Sequence, residues 1–255
     1  MLKNAALLNL CLSTDRLLWQ SFAISCEGAN RGRQTSGSKL IFPRKRDNKP
    51  RVSEQEARFL FCRAVEQSTE SNVFYSVETP THELYSFSTP GSDDTAHSDL
   101  SLYADGSLDL PAVNIEFKCG GVSDHRKDLS AVTKDFEKLL REKPDGLWFH
   151  LIQNTNRSTL PAVLGALKKA LREAETKARR RGADVIVSKD IQIHVCCLSD
   201  RWSLSSAVHI DQANEPLVVD DFFSLASESA AVDVGSIGGA EMQPNCWYSC
   251  KGQEE

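Results

Sequence analysis

Between residues 97 and 198 the apolar pattern changes period again and again, and that switching leaves few folds open. Residues 97–103 alternate polar and apolar, with Leu100 and Leu102 on one face. Residues 112–118 alternate again, setting Val113, Ile115 and Phe117 against Asn114, Glu116 and Lys118. A period of two is a strand with two unlike faces. Residues 123–141 then place Leu129, Val132, Phe136, Leu139 and Leu140 on one helical stripe. An apolar run of strand length follows at 147–153. A second helical stripe spans 159–181 through Leu160, Leu164, Leu167, Leu171, Ala174 and Ala178, and a further strand lies at 191–198. Strands that alternate with helices predict an α/β chain whose mixed central sheet is flanked by helices.

Upstream, Ser53-Glu54-Gln55-Glu56 reads as a capping box opening a helix to residue 67, with Ala57, Leu60, Phe61, Ala64 and Val65 at helical spacing. Residues 73–79 and 83–88 read as two strands with Pro80 and His82 near the turn between them. Pro144-Asp145-Gly146 and Gly182 end the two later helices, and Arg179-Arg180-Arg181 suits the dipole of the second. Leu40-Ile41-Phe42 is expected to add a short edge strand, and 217–223 another. The organisation expected is an N-terminal extension over 1–38, poorly ordered or helical, a single domain over 39–223, and a loosely ordered tail over 224–255.

A formal net charge of −5 gives no global basic field, so a polynucleotide partner would need local patches. Arg44-Lys45-Arg46, Lys168-Lys169 and Arg179-Arg180-Arg181 are available, and solvated faces explain them equally well. The eight cysteines contain no C-x-x-C pair, which fits reduced thiols in a cytoplasmic protein. His194, Cys196, Cys197, Cys246 and Cys250 have no spacing that demands zinc. No stretch is long and apolar enough to cross a bilayer, so no membrane contact is expected.

The residues with most chemistry lie on the alternating strands. Glu116 and Lys118 are two apart and share a face. A hairpin between Tyr103 and Ala112 can bring Asp99 beside Glu116. Two carboxylates at ligand distance suit a hard cation, magnesium or else manganese, which can activate water against a phosphodiester. Lys118 can then orient that water or offset charge on phosphorus. The bland alternative is a pair of exposed charges on a solvated sheet face, worth little.

Ser98-Asp99, a spacer and Glu116-x-Lys118 resemble the PD-(D/E)xK nuclease superfamily, of restriction-endonuclease-like fold. Ser98 stands where the motif has proline, and Gly120-Gly121 follows the triplet quickly. The resemblance covers residues 53–155. It implies a helix, a three-stranded meander bearing the motif, a helix and a further strand. It also implies that Asp99 and Glu116 bind the metal, that Lys118 acts at the attacking water, and that an acid on the first helix, Glu56 or Glu66, completes a catalytic set.

The expected activity is metal-dependent hydrolysis of phosphodiester bonds, in DNA or else RNA; a homodimer or a partner protein is compatible with it. The alternative is a catalytically silent nuclease-fold module acting through nucleic-acid or protein contacts. Asp124, His125, Arg126 and Lys127 read as a solvated first helical turn, although His125 could lie near the phosphate. Asp135, Glu137 and Lys138 read as helical ion pairs, and Gln153 as a residue within reach of the site.

Overall fold

The computed structural model describes residues 4–27, 39–46, 48–68, 72–85, 94–104, 109–120, 126–153, 160–180, 189–199 and 201–210. Helices α1 (Asn4–Glu27) and α2 (Glu54–Gln67) precede strands β1 (Val73–Tyr85), β2 (Asp94–Ala104) and β3 (Val113–Cys119). Then come α3 (Arg126–Arg141), β4 (Asp145–Ile152), α4 (Leu160–Arg180), β5 (Lys189–Cys197) and β6 (Trp202–Ile210). The strands form one six-stranded sheet in sequential order. It is antiparallel from β1 to β3, parallel from β3 through β5, and antiparallel again at β6. The chain is therefore α/β, with a mixed sheet flanked by helices.

The alternation of β3 sorts the core into two layers. Val113, Ile115 and Phe117 join one buried cluster with Leu60 and Phe61 of α2 and Leu10 and Leu18 of α1. In the other cluster Val132, Phe136 and Leu140 of α3 and Leu167 and Leu171 of α4 pack on Trp148, Ile193 and Val195. Strand β4 feeds both, Leu147, Phe149 and Leu151 to one side and Trp148 and Ile152 to the other, which is why it reads as a continuous apolar run. Gly146 lies at the start of β4, where an added Cβ would stand 3.1 Å from Ile191 Cγ1 and 3.4 Å from Leu139 Cβ. Its role is close approach of backbone to helix, beyond ending α3.

Three expectations are corrected. Residues 73–85 are one strand: β1 has an irregularity between Pro80 and Leu84 where a turn was expected. The buried Glu142 carboxylate makes this possible by accepting from the His82 and Glu83 amides, at 3.0 and 3.1 Å, and from the Tyr85 hydroxyl. Donors freed by the broken ladder thus keep partners.

Residues 40–42 form no strand; Phe42 is buried instead, its N–H donating to Ser25 Oγ at 2.8 Å. The N-terminal segment is helical but is no appendage to the fold, since α1 buries Leu7, Leu10, Cys11, Leu18 and Trp19 against the core. Its polar buried residues hid this from the apolar pattern. Thr14 donates to Leu10 O, Ser25 to Ser21 O, and Asp15 Oδ2 lies 2.9 Å from Nε2 of the fully buried His194. Trp19 Nε1 donates to Cys197 O, tying α1 to β5.

Strand β6 is a further element that the apolar pattern had not revealed. Residues 217–223 and the tail, together with Asp124, His125, Cys246 and Cys250, lie outside the described residues. No helix among the described residues is long and apolar enough to cross a membrane.

Candidate functional site

The β2–β3 ladder pairs Leu102 with Val113, Ser101 with Asn114 and Leu100 with Ile115. One step further along that register, Asp99 comes opposite Glu116. Strand pairing ends there, and the Asp99 side chain takes over the bonding: its Oδ2 accepts from the Phe117 amide at 2.8 Å. Period-two alternation puts Glu116 and Lys118 on the α3 side of β3, because Ile115 and Phe117 face α2. Asp99, Glu116 and Lys118 therefore gather on one face at one end of the β2–β3 pair.

Their surroundings differ from a solvated sheet face. Glu116 is 2% exposed, and its Oε2 accepts from Lys138 Nζ of α3 at 2.7 Å. Its second oxygen, Oε1, is buried without a hydrogen-bond partner. Lys138 also donates to His97 O at 3.0 Å, so one ammonium bridges β2 and β3. Lys118 Nζ lies 3.5 Å from both Glu54 Oε1 of α2 and Asp135 Oδ2 of α3. Asp135 reaches Lys138 as well, at 3.3 Å. Arg58 of α2 stands 4.0 Å from Asp99 Oδ1 and pairs with Glu78 of β1. Glu78 has a left-handed backbone, φ 52°, shortly before the irregularity of β1, so a strained residue anchors the outer edge of the network.

The network joins five carboxylates, of Glu54, Glu78, Asp99, Glu116 and Asp135, to three cations, Arg58, Lys118 and Lys138. Burial raises the pKa of Glu116 well above the usual glutamate range; Lys138 opposes the shift, and Asp135 and Asp99 add to it. Burial likewise raises Asp99, against the Phe117 amide and Lys138. For Lys118 burial works downward, and the Asp135 and Glu54 charges outweigh it, so the ammonium is held charged. Lys138 behaves in the same way, with Glu116 and Asp135 opposing its burial. An excess of carboxylates, two of them short of counter-charge, is a cation-seeking arrangement.

Among the described residues no three His, Cys, Asp or Glu side chains form a metal-holding group by themselves. Lysines bind the carboxylates here instead. The residues still fit a hard cation: the partnerless Glu116 Oε1 and Asp99 Oδ1, which lies 4.0 Å from Arg58, are both carboxylate oxygens. Magnesium commonly takes only one or two protein carboxylates.

The α2 acid that pairs with Lys118 is neither of the two expected for the set. Glu56 accepts from the Ser53 hydroxyl, so it serves the start of α2; Ser53 itself makes no side-chain cap. Glu66 sits in the last turn of α2 and accepts from Tyr75 at 2.6 Å. Glu54, on the first turn, is the α2 acid that meets Lys118. Asp135 and Lys138 do form the expected helical pair, yet both also face the site, which sequence spacing alone left unread. The signal was their place beside Val132, Phe136 and Leu139 on the stripe that packs on the sheet. Gln153 lies near the end of β4, lining a cleft with Glu54 and Cys119.

Among the described residues Cys11, Cys62, Cys119 and Cys196 are free thiols. No protein-family model, no curated protein and no solved structure matches the chain.

Proposed function

We propose that the protein is a metal-dependent nuclease that hydrolyses phosphodiester bonds in DNA, with magnesium held by Asp99 and Glu116. The observation that carries the reading is Glu116, a buried carboxylate with one oxygen free of partners, set on the same face as Asp99 and Lys118. A side chain placed at such desolvation cost is expected to repay it in function. The element order α2, β1–β3, α3, β4 adds support, since it is the order that the resemblance to PD-(D/E)xK nucleases implies. The ion, when bound, supplies Lewis acidity and a water of lowered pKa.

The chain's own residues have distinct tasks. Asp99 is fixed by the Phe117 amide, so its second oxygen, beside Arg58 at 4.0 Å, is presented in one orientation. Glu116 offers Oε1 while Lys138 holds Oε2. Lys118, held charged by Glu54 and Asp135, orients the attacking water or steadies charge on the phosphate oxygens. Expected cytoplasmic placement and any homodimer or partner protein belong to the same proposal.

A second reading has its own support. Lys138 already neutralises Glu116, as expected of a catalytically silent binding module whose lysine replaces the ion. Titration calorimetry with magnesium and manganese, paired with cleavage of single- and double-stranded DNA and of RNA, separates the two. A nuclease binds the ion through Asp99 and Glu116 and cleaves; Asp99→Asn, Glu116→Gln and Lys118→Ala each lower the rate at least a hundredfold. Intact substrates of all three kinds, with no ion uptake, would refute the proposal.

A further inference from the structure

The body of the protein is acidic overall and its candidate site more so, yet a polyanionic substrate has to approach it. Resting on the nuclease reading, we propose that the basic turn over residues 43–51 grips the phosphodiester backbone of the DNA by charge alone, beside the site. Residues 44–51 carry five cations, Arg44, Lys45, Arg46, Lys49 and Arg51, against one acid, Asp47.

The turn is built rather than loose. Arg44 bridges to Pro50, Lys45 N donates to Lys49 O at 2.8 Å, and Arg51 N donates to Pro43 O at 2.6 Å. Asn48 takes the left-handed backbone that reverses the chain, φ 64°. The Arg44 guanidinium donates to Ser25 O at 2.7 Å and to Asn48 Oδ1 at 2.9 Å, pinning the turn to the end of α1.

That leaves Lys45, Arg46 and Arg51 exposed, and none has an ion-pair partner among the described residues. Lys45 and Arg51 line a cleft of about 370 Å3 together with Glu54, Cys119, Gly120 and Gln153. Cys119, Gly120 and Gln153 mark the carboxyl ends of β3 and β4, the side on which open α/β sheets take their ligands. Burial pushes the Cys119 thiol up to about 12, and the Lys45 and Lys118 charges both act against that shift, so both cations sit close to the end of β3. Glu54 joins cleft and candidate site, since it also meets Lys118. The rival basic patch on α4 is spent internally, at least in part: Arg179 pairs with Glu175 and Lys177 with Glu173.

Binding of a fluorescent single-stranded DNA to the full chain is measured by anisotropy across a salt series, in calcium to fill hard-cation sites without turnover. Each phosphate contact contributes about 0.7 to the slope of log affinity against log salt. Lys45→Gln/Arg46→Gln/Arg51→Gln is expected to flatten that slope by about 2 and to weaken low-salt binding at least tenfold. Each single substitution flattens it by roughly 0.7, which guards against a misfolded triple variant. Lys168→Gln/Lys169→Gln on α4 keeps the wild-type slope. A triple variant that also keeps it, or a wild-type chain that binds no DNA, overturns the proposal. Hydrolysis of bis(p-nitrophenyl) phosphate by the wild-type chain in magnesium, a diester with no backbone to grip, reports on the nuclease reading by itself.

Discussion

Replacing Lys138 by Met should cost stability in a way that depends on pH, because it strands a buried carboxylate. In the wild-type chain Lys138 donates to Glu116 at 2.7 Å and to His97 O at 3.0 Å, while Glu116 is 2% exposed. Met keeps the bulk of the alkyl stem, so lost packing is minor. Removing one partner of a buried ion pair costs about 3–5 kcal/mol while the other stays charged. Glu116 can escape by taking a proton. Its pKa is already raised from 4.5 by burial, and loss of the Lys138 charge raises it further. A carboxyl whose folded pKa is raised favours folding fully below its unfolded pKa and loses that favour as pH climbs through the folded value. The penalty for Lys138→Met is therefore largest near pH 8, at about 3 kcal/mol or more, and fades towards pH 4.5. For a chain of this size about 3 kcal/mol lowers the melting temperature by roughly 10 °C. Urea unfolding followed by circular dichroism at several pH values reads it, with Glu116→Gln/Lys138→Met recovering much of the loss. Equal penalties at pH 8 and pH 5, with no rescue by the double variant, would show that no buried charge was stranded.

Burial lowers His150 from 6.5 to about 4, so the neutral ring is the folded form. Stability is then fully present above pH 6.5 and lost as pH falls towards 4, by at most about 3 kcal/mol; a urea series should show this loss in wild type and not in His150→Gln. Gly146→Ala forces a methyl to within 3.1 Å of Ile191 and 3.4 Å of Leu139, and calorimetry should find about 1–3 kcal/mol of destabilisation. Glu142→Ala leaves the His82 and Glu83 amides and the Tyr85 hydroxyl without their shared acceptor. Hydrogen exchange at residues 82–85 should accelerate, with a loss of at least 2 kcal/mol overall.

Most of the fold was legible because period follows burial. The stripe of α2 predicted from spacing, Ala57, Leu60, Phe61, Ala64 and Val65, is the set buried against the sheet. The same holds for the α4 positions from Leu164 to Ala178. What escaped was held by polar chemistry that apolar spacing cannot register. Helix α1 buries Thr14, Asp15, Ser21 and Ser25 on its inner side, each an apparent break in the apolar face. The turn foreseen at Pro80 is a bulge because a carboxylate sixty residues on, Glu142, accepts its loose amides.

The candidate site divides along the same line. Asp99, Glu116 and Lys118 could be placed together from strand alternation and one hairpin, since both are local rules. Lys138, Asp135 and Glu54 could not, because they arrive from helices whose angle to the sheet is settled only by packing. Those three residues decide what the first three can do. Without them Asp99 and Glu116 would be two carboxylates awaiting an ion; with them Glu116 already has a cation on one oxygen and a vacant second oxygen. If the Lys138 ammonium and a magnesium ion each take one oxygen, Lys138→Met leaves ion binding intact or tightens it. If they exclude each other, wild type takes up no magnesium and Lys138→Met gains that capacity. Calorimetry on the two proteins therefore separates a working nuclease from a silent module at a single residue, and it does so without any need to know the substrate.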